Sequence, residues 1–596
     1  MARQKKRRAF PVQETERVSR RDRIPESELI DADEPGFGIF GWFRSPGVRE
    51  TIESVVIAVL LAFMFKTYEA EAFVIPTGSM APSLQGQHFD HDCPKCGHRY
   101  LTGWAKGDSV SKTCCPICNH RTSLTKADPD HRINSGDRIL VNKFIYDFQE
   151  PERFDVIVFK YPNNPKQNYI KRLIGLPGDN LLVENGDIYL MDPDGAGGWT
   201  NKRIARKPSV KVKQVLIDVD DTSFVPGELK SINWPSRWAQ WDGGVAWTQS
   251  ANQDSFRVSA KAQTEWLRYR NIMTPWSEIN RNNGKLPERF DKPLAELPLG
   301  GLVTDTMCYN NKVTRRNTPT AIGNHWVGDL GVEAWVDVES SSGDFSLDLV
   351  EGGTHFTCQF NVADGVATLI CNDPKVEFFN DSGVVAKPQA KTSVGPGSSQ
   401  ILLVNADDQI HMWVNGSLVE FDAPTFRREG VAIPQYSPAN PGDAEPVGVG
   451  AKNITMTVSR LKVVRDIYYS SAKLERDGPV ATGNESQMPF NIVQNIMVDP
   501  TEWDSRNGKA LFLEKKNQTE PMFQLAFGAD GNRAKDEFFP MGDNSTASLD
   551  ARVWPGPDRF VPRDLLIGRA IFIYWPHSQN KPIPFFPNFT KMKFIR

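Results

Sequence analysis

One long apolar run stands out near the N-terminus, the eleven residues from Val55 to Phe65. A helix needs about 20 residues to cross a bilayer. Counting from Val48 to Phe73 reaches that length only by admitting Arg49, Glu50, Glu53, Lys66, Glu69 and Glu71. Charges near helix ends can reach the headgroups, so the pattern predicts one transmembrane helix over 49–70. A cleavable signal peptide is the rival reading, because Ala70-Glu71-Ala72 has the Ala-x-Ala form. Its basic region would then be about fifty residues long, far beyond the usual size. Further along, the period changes to two. Val332 to Val338 alternates, as does Gln409 to Val414 before an Asn415-Gly416 turn. Such segments predict short strands in a sandwich. Tyr169 to Asp179 reads as a largely apolar strand. The chain is therefore expected to be mainly β.

Composition and charge refine this picture. At 596 residues the chain exceeds one core, and three or four units are expected. A net charge of −3 excludes a global field for nucleic acid. The first 23 residues nevertheless hold nine Lys or Arg against three Asp or Glu. Ahead of an apolar run, this tail reads as the positive-inside flank that stays cytoplasmic. Phe37, Phe40, Trp42 and Phe43 suit the membrane interface. Everything after Phe73 then faces outward from the plasma membrane, on the periplasmic side.

Cysteine spacing adds a second module. Cys93, Cys96, Cys115 and Cys118 form two Cys-x2-Cys knuckles 18 residues apart, each with a proline after its first cysteine. Four thiolates suit a closed structural zinc site, as in a zinc ribbon. Two disulfides are the alternative, since this segment should face an oxidising compartment. Cys114 is an odd thiol that could compete, and His98 and His120 could ligate but are not needed. From Lys202 to about Gln487 lies a larger insertion, rich in Trp at its start (Trp234, Trp238, Trp241, Trp247, Trp266 and Trp276). Core packing is the default for these indoles, with stacking on sugars the alternative. Cys308, Cys358 and Cys371 read as buried or paired thiols. Gly395 to Ser399 and Ser437 to Gly448 read as loops.

Candidate chemistry centres on Ser79, in a Gly-Ser-Met turn just beyond the apolar run. A serine hydroxyl needs a base. No His lies in a recognisable triad motif, and no Gly-x-Ser-x-Gly elbow surrounds Ser79. Lys171 can serve if burial keeps it neutral, since a free lysine titrates near ~10.4. Strand alternation puts Lys171 on the face of Tyr169 and Leu173, with Arg172 opposite. From the strand alone, a surface lysine is the default reading.

Four segments then carry a resemblance. Pro76 to Pro82 resembles the nucleophile box of bacterial type I signal peptidases (leader peptidases). Gly136 to Tyr146 resembles their second box. Arg153 to Phe159 with Tyr169 to Asp179 resembles the box of the general base, and Met541 to Arg552 the last box. The resemblance covers roughly 69–90, 127–192 and 535–596. It implies Ser79 as nucleophile and Lys171 as general base. It further implies a Thr77 hydroxyl aimed at the oxyanion beside the Ser79 N–H, Ser548 orienting the lysine amine, and an Asp550–Arg552 ion pair. Ser545-Thr546-Ala547 departs from the charged residues and asparagine usual in the family. Separately, Gln409 to Val419 and Leu461 to Tyr469 resemble a laminin-G/concanavalin-like jelly roll.

The expected organisation is a basic cytoplasmic tail (1–48), a transmembrane anchor (49–70) and a first peptidase segment (71–90). A zinc-ribbon insertion (91–126), a second peptidase segment (127–198), a jelly-roll-like insertion (199–485) and a third peptidase segment (486–596) follow. The expected function is a membrane-bound serine endopeptidase with a Ser–Lys dyad that cleaves signal peptides from exported preproteins at Ala-x-Ala-type sites. It would need no catalytic cofactor and would hold a structural zinc. Its partners would be preproteins, membrane lipid and the export machinery, not nucleic acid. The rival readings are a membrane-tethered glycan- or surface-binding protein on a non-catalytic peptidase scaffold, and a self-cleaving repressor-type protease. With catalytic boxes on both sides and none inside, residues 200–480 are expected to be removable without loss of activity.

Overall fold

The structure is a computed structural model that describes residues 46–68, 70–125, 131–314, 322–471, 473–475, 478–480, 488–513, 520–555, 559–576 and 588–595. The basic tail over 1–48 lies almost wholly outside these residues. Among the described residues, the N-terminal unit holds one helix, Pro46–Tyr68. Its Pro46 stands where the missing N–H has no helical partner to lose. Ile52, Val55, Val56, Ile57, Val59 and Leu60 are all exposed, so apolar side chains surround it. The apolar run is thus helical, as expected. However, no helix among the described residues is long and apolar enough to cross a membrane, which corrects the transmembrane span expected over 49–70. Arg49, Glu50 and Glu53 occupy the first two turns and Lys66 the last. The run between them spans only about 17 Å at 1.5 Å per residue, against about 30 Å of hydrocarbon.

The second unit, from Thr67 onward, is mainly β. One antiparallel sheet of eight strands carries the four boxes. Its order runs Ala70–Val74, Arg138–Asn142, Leu566–Trp575, Val156–Tyr161, Asn164–Gly175, Glu537–Met541 and Val561–Pro562, with Lys593–Phe594 beside Leu566–Trp575. Chain ends and middle therefore interleave in one sheet. Ile75, Met80, Leu84, Ile139, Val141, Val156 and Val158 form one of its cores. Leu173, Phe159, Phe539 and Met541 join a second core, shared with a four-stranded sheet built from 180–204 and Phe523–Gln524.

The insertion forms two facing antiparallel sheets of eleven and seven strands, with one apolar core between them. Leu330–Val338 and Gln409–Val414 are strands, as their alternation predicts. The Asn415-Gly416 pair makes a two-residue hairpin, Val414 opposite Ser417, both turn residues having positive φ. Five of the six early tryptophans are buried, and Trp266 is half-buried against Arg268. The cysteine knuckles pack with Trp234, Trp241 and Trp276 in one core. Trp276 Nε1 donates to the Cys118 carbonyl at 2.6 Å. Lys312–Val313, from the insertion, pairs with the ribbon strand Lys112–Cys114.

These junctions revise the expectation of a detachable insertion. Ile467 and Tyr469 lie in the peptidase core beside Phe154, Ile157 and Leu173. Lys211 Nζ bonds Asp155 Oδ1 at 3.0 Å, and Lys207 bridges Asp407 and Asp466 at 2.5 and 2.9 Å. The far end of the insertion is thus integral to the peptidase fold.

Candidate active site

Ser79 sits in a single 3-10 turn, Gly78–Met80. Met80 and Leu84 anchor the turn by packing into the sheet core. The second box clamps it from outside: Ile75 N donates to the Asp137 carbonyl at 2.9 Å and Gln85 N to Asp137 Oδ2 at 2.7 Å. Lys171 lies on Asn164–Gly175, opposite Ile157. The two meet: Lys171 Nζ stands 2.8 Å from Ser79 Oγ and donates to the Ile170 carbonyl at 2.9 Å. That separation is within reach of direct proton transfer. As alternation predicts, the amine also sits over the Tyr169 ring, 5.4 Å from its centre.

Lys171 is 4% exposed. Burial pulls its amine down from 10.5 to about 8; Asp550 and Asp543 push it back up, and Arg552 pulls it down again. Asp543 is occupied by Arg172, which grips it with two bonds of 2.6 Å and also donates to the Phe154 carbonyl at 2.9 Å. Arg172 thus points away from the serine, as expected, but into a second buried pair rather than to solvent. Asp550 and Arg552 form the ion pair that the resemblance implies, at 2.8 Å on both oxygens. Burial raises the Asp550 carboxyl, but the Arg552 guanidinium, the Gly542 N–H and Ser548 together outweigh it and hold the group below the usual carboxylate range. Asp550 Oδ2 also accepts from Gly542 N at 3.0 Å.

Gly542 explains its own identity. A Cβ there would lie 2.2 Å from Ser548 Oγ and 2.4 Å from the Ser79 carbonyl. Ser548 therefore stands at the site, but the bond to the lysine amine that the resemblance implies is not made. Its buried Oγ lies near enough to Asp550 to favour that charge, yet makes no hydrogen bond of good geometry. Thr77 is exposed next to the turn and forms no side-chain cap.

Asn544, inside the last box, and residues of the insertion also hold the turn. Asn544 holds the nucleophile turn, its backbone N donating to the Ser79 carbonyl at 3.1 Å and its Nδ2 to the Gly78 carbonyl at 3.0 Å. Asn310, from the insertion, completes a reciprocal amide pair with Asn544 at 2.6 and 2.9 Å. Tyr309 closes over Gly78, where any Cβ would meet its ring at 2.0 Å. Arg552 Nη1 donates to the Ser470 carbonyl and to Ser545 Oγ.

The cysteine cluster lies apart from this chemistry. The four Sγ atoms of Cys93, Cys96, Cys115 and Cys118 lie within 4.8 Å of one another. Cys93 to Cys118 is 3.5 Å and Cys96 to Cys115 is 3.7 Å, with no disulfide among them. A tetrahedron with metal–sulfur bonds of ~2.3 Å has edges of about 3.8 Å, so the donor set fits zinc. His98 and His120 stand outside the cluster. Cys114 turns away, its thiol pushed up to about 11 by burial. Cys308, Cys358 and Cys371 are unpaired thiols.

The structure thus brings a buried amine into contact with a serine hydroxyl. Residues 120–221 and 484–575 match the family described as signal peptidase, peptidase S26, a match that includes Lys171 and the last box but begins after Ser79. The chain is 45% identical over 122 residues to signal peptidase I of Bacillus caldolyticus, covering 18% of this chain and 62% of that protein. It is 48% identical over 72 residues to signal peptidase I of Pseudomonas aeruginosa, covering 9% and 25%. With a probable signal peptidase I-2 of Synechocystis it shares 28% over 191 residues, covering 31% and 63%. The chain thus spans between a quarter and under two thirds of these relatives' lengths. Among solved structures, the carbohydrate-binding module CBM66 from Bacillus subtilis aligns at 7% identity and a TM-score of 0.19, over 37% of this chain and 92% of that one. A likeness of that size carries no argument about ligands.

Proposed function

We propose that this chain is a type I signal peptidase, a serine endopeptidase that removes signal peptides from exported preproteins. The observation that carries the reading is the 2.8 Å contact between Ser79 Oγ and a buried Lys171 amine held near 8. The similarity of the surrounding segments to signal peptidases supports it. In this reading neutral Lys171 takes the Ser79 proton as Oγ attacks the scissile carbonyl. The resulting ammonium then gives that proton to the leaving amine, and the acyl–Ser79 ester is hydrolysed by water activated by the same amine. Thr77 and the Ser79 N–H stabilise the oxyanion, a donor being worth about 3–4 kcal/mol. The Asp550–Arg552 pair sets the charge around the amine, and Ser548 packs beside Gly542 and the Ser79 turn. Preproteins with Ala-x-Ala-type sites are the substrates. The helix Pro46–Tyr68, apolar on its exposed surface, associates the chain with the surface of the plasma membrane, and the peptidase works on the periplasmic side. The cysteine cluster holds a structural zinc that orders the ribbon.

Cleavage of a synthetic Ala-x-Ala peptide by the purified full chain tests the reading. Ser79→Ala is expected to be inactive with its fold intact. Because the base works deprotonated, kcat/KM should climb as pH rises through about 8 and level off above it. A climb only near ~10, where free lysine titrates, would remove the buried amine from the base role. For the ribbon, elemental analysis should return about one zinc per chain. Two disulfides by mass spectrometry, without metal, would refute the zinc assignment.

A further inference from the structure

We propose that the cavity enclosed by the nucleophile loop, the cysteine ribbon and the insertion is a binding site for a small amphiphilic anion, with Arg465 anchoring its headgroup. The inference is independent of the peptidase reading. The cavity measures about 560 Å³, a volume typical of small-molecule sites. Ala81, Pro82 and Gln85 form one wall, so it begins two residues beyond Ser79. Most of the rest is apolar, with Leu302, Val303, Ile272 and Phe290 among its lining.

The charges around it do not balance. Arg99 is paired with Asp90, and Arg237 with Asp220. Arg289 is paired with Glu278, and the one carboxylate of the lining, Asp218, with Lys462. Arg465 and Lys591 remain, neither with a carboxylate at ion-pair distance among the described residues. Arg465 is 2% exposed. Its guanidinium donates to the Asp466 and Thr306 carbonyls, both at 2.8 Å. Two carbonyls satisfy two of its five N–H groups and bring no negative charge. The neighbouring acids are engaged elsewhere, Asp305 by His325 and Asp466 by Lys207. Burial accordingly drags the guanidinium down to about 10, with Asp305 and Asp466 only partly opposing. A buried cation without a counter-charge is costly. A carboxylate or phosphate entering the cavity would meet a preformed fork for bidentate binding, and the apolar wall suits a chain of methylenes behind that headgroup.

Calorimetric titration of the full chain, held in phosphatidylcholine nanodiscs with empty discs subtracted, tests this with four probes sharing one decyl chain. Decanoate or decyl phosphate is expected to bind one-to-one, and the stronger of the two identifies the headgroup. Decyltrimethylammonium and decanol should bind at least about tenfold more weakly. Arg465→Lys, which keeps the charge but not the fork, should weaken anion binding less than Arg465→Met, which should lose at least about tenfold. Should Arg465→Met fail to fold, Lys591→Met decides, with a several-fold loss expected for the anions alone. Equal affinity for anion and cation, no binding of any probe, or unchanged anion affinity in the variant that folds would overturn the proposal.

Discussion

Lys171→Met is expected to abolish peptide cleavage and at the same time raise the stability of the protein. Loss of a general base costs up to about four orders of magnitude in rate, and no other amine touches Ser79 Oγ among the described residues. The stability gain follows from the same burial that makes the base. In the folded chain the amine titrates near 8, against 10.5 when unfolded. Between these values the unfolded chain binds a proton that the folded chain does not, so stability rises with pH across that window. Below about 8 both states are protonated, and the folded chain carries the full cost of a buried ammonium, about 3 kcal/mol. Methionine removes that cost while filling similar space, and gives up the bonds to Ser79 Oγ and the Ile170 carbonyl. A net gain of about 1–2 kcal/mol remains after deducting about 1 kcal/mol per neutral hydrogen bond, read as a few degrees in the unfolding midpoint. The gain should shrink as the measurement moves from pH 7 to pH 10. A midpoint below that of the parent at pH 7 would show that the lysine is a stabilising ion-pair member rather than a desolvated base.

What could be read in advance divides along physical lines. The face shared by Lys171, Tyr169 and Leu173 follows from the period of a strand, which needs only the local sequence. The Asn415-Gly416 hairpin and the four-cysteine cluster follow likewise from short spacings. Alternation put Arg172 on the face opposite Lys171 but could not say what covers that face; its partner Asp543 lies 371 residues away. The Asn310–Asn544 pair, 234 residues apart, is invisible for the same reason. The helical run before the peptidase was legible as a helix, whereas its span failed on the charged residues in its end turns. The resemblance implied Ser548 beside the lysine, but its hydroxyl direction depends on Gly542 and Asp550 around it, which no short motif records.

Deleting residues 200–480 and joining the ends with a short linker is expected to leave a chain that neither folds nor cleaves peptide. An insertion at a loop tip is dispensable when few contacts cross its base, and here many do. The deletion removes Ile467 and Tyr469, both at or below 4% exposure, from the core that supports the lysine strand. Emptying two such sites costs about 2–5 kcal/mol each. It strips Asp155 of Lys211 and Arg552 of the Ser470 carbonyl, leaving buried groups short of partners. Asp155 keeps Arg569 at 3.6 Å and Arg552 keeps Asp550, so each loss is that of a buried polar group left short of a bond, about 1–3 kcal/mol. Together these losses reach the 5–15 kcal/mol that holds a typical domain folded. The deletion also uncovers Gly78 by removing Tyr309, and frees the Asn544 amide by removing Asn310. Asn310→Ala isolates the last effect in an otherwise complete chain. It should stay folded, with a circular dichroism spectrum like that of the parent, and lose about tenfold in kcat as the Asn544 grip on the nucleophile turn loosens. A deletion variant that is soluble and cuts a short peptide at the parental rate would reinstate the insertion as an accessory. Inactive deletion together with fully active Asn310→Ala would assign the insertion a folding role alone.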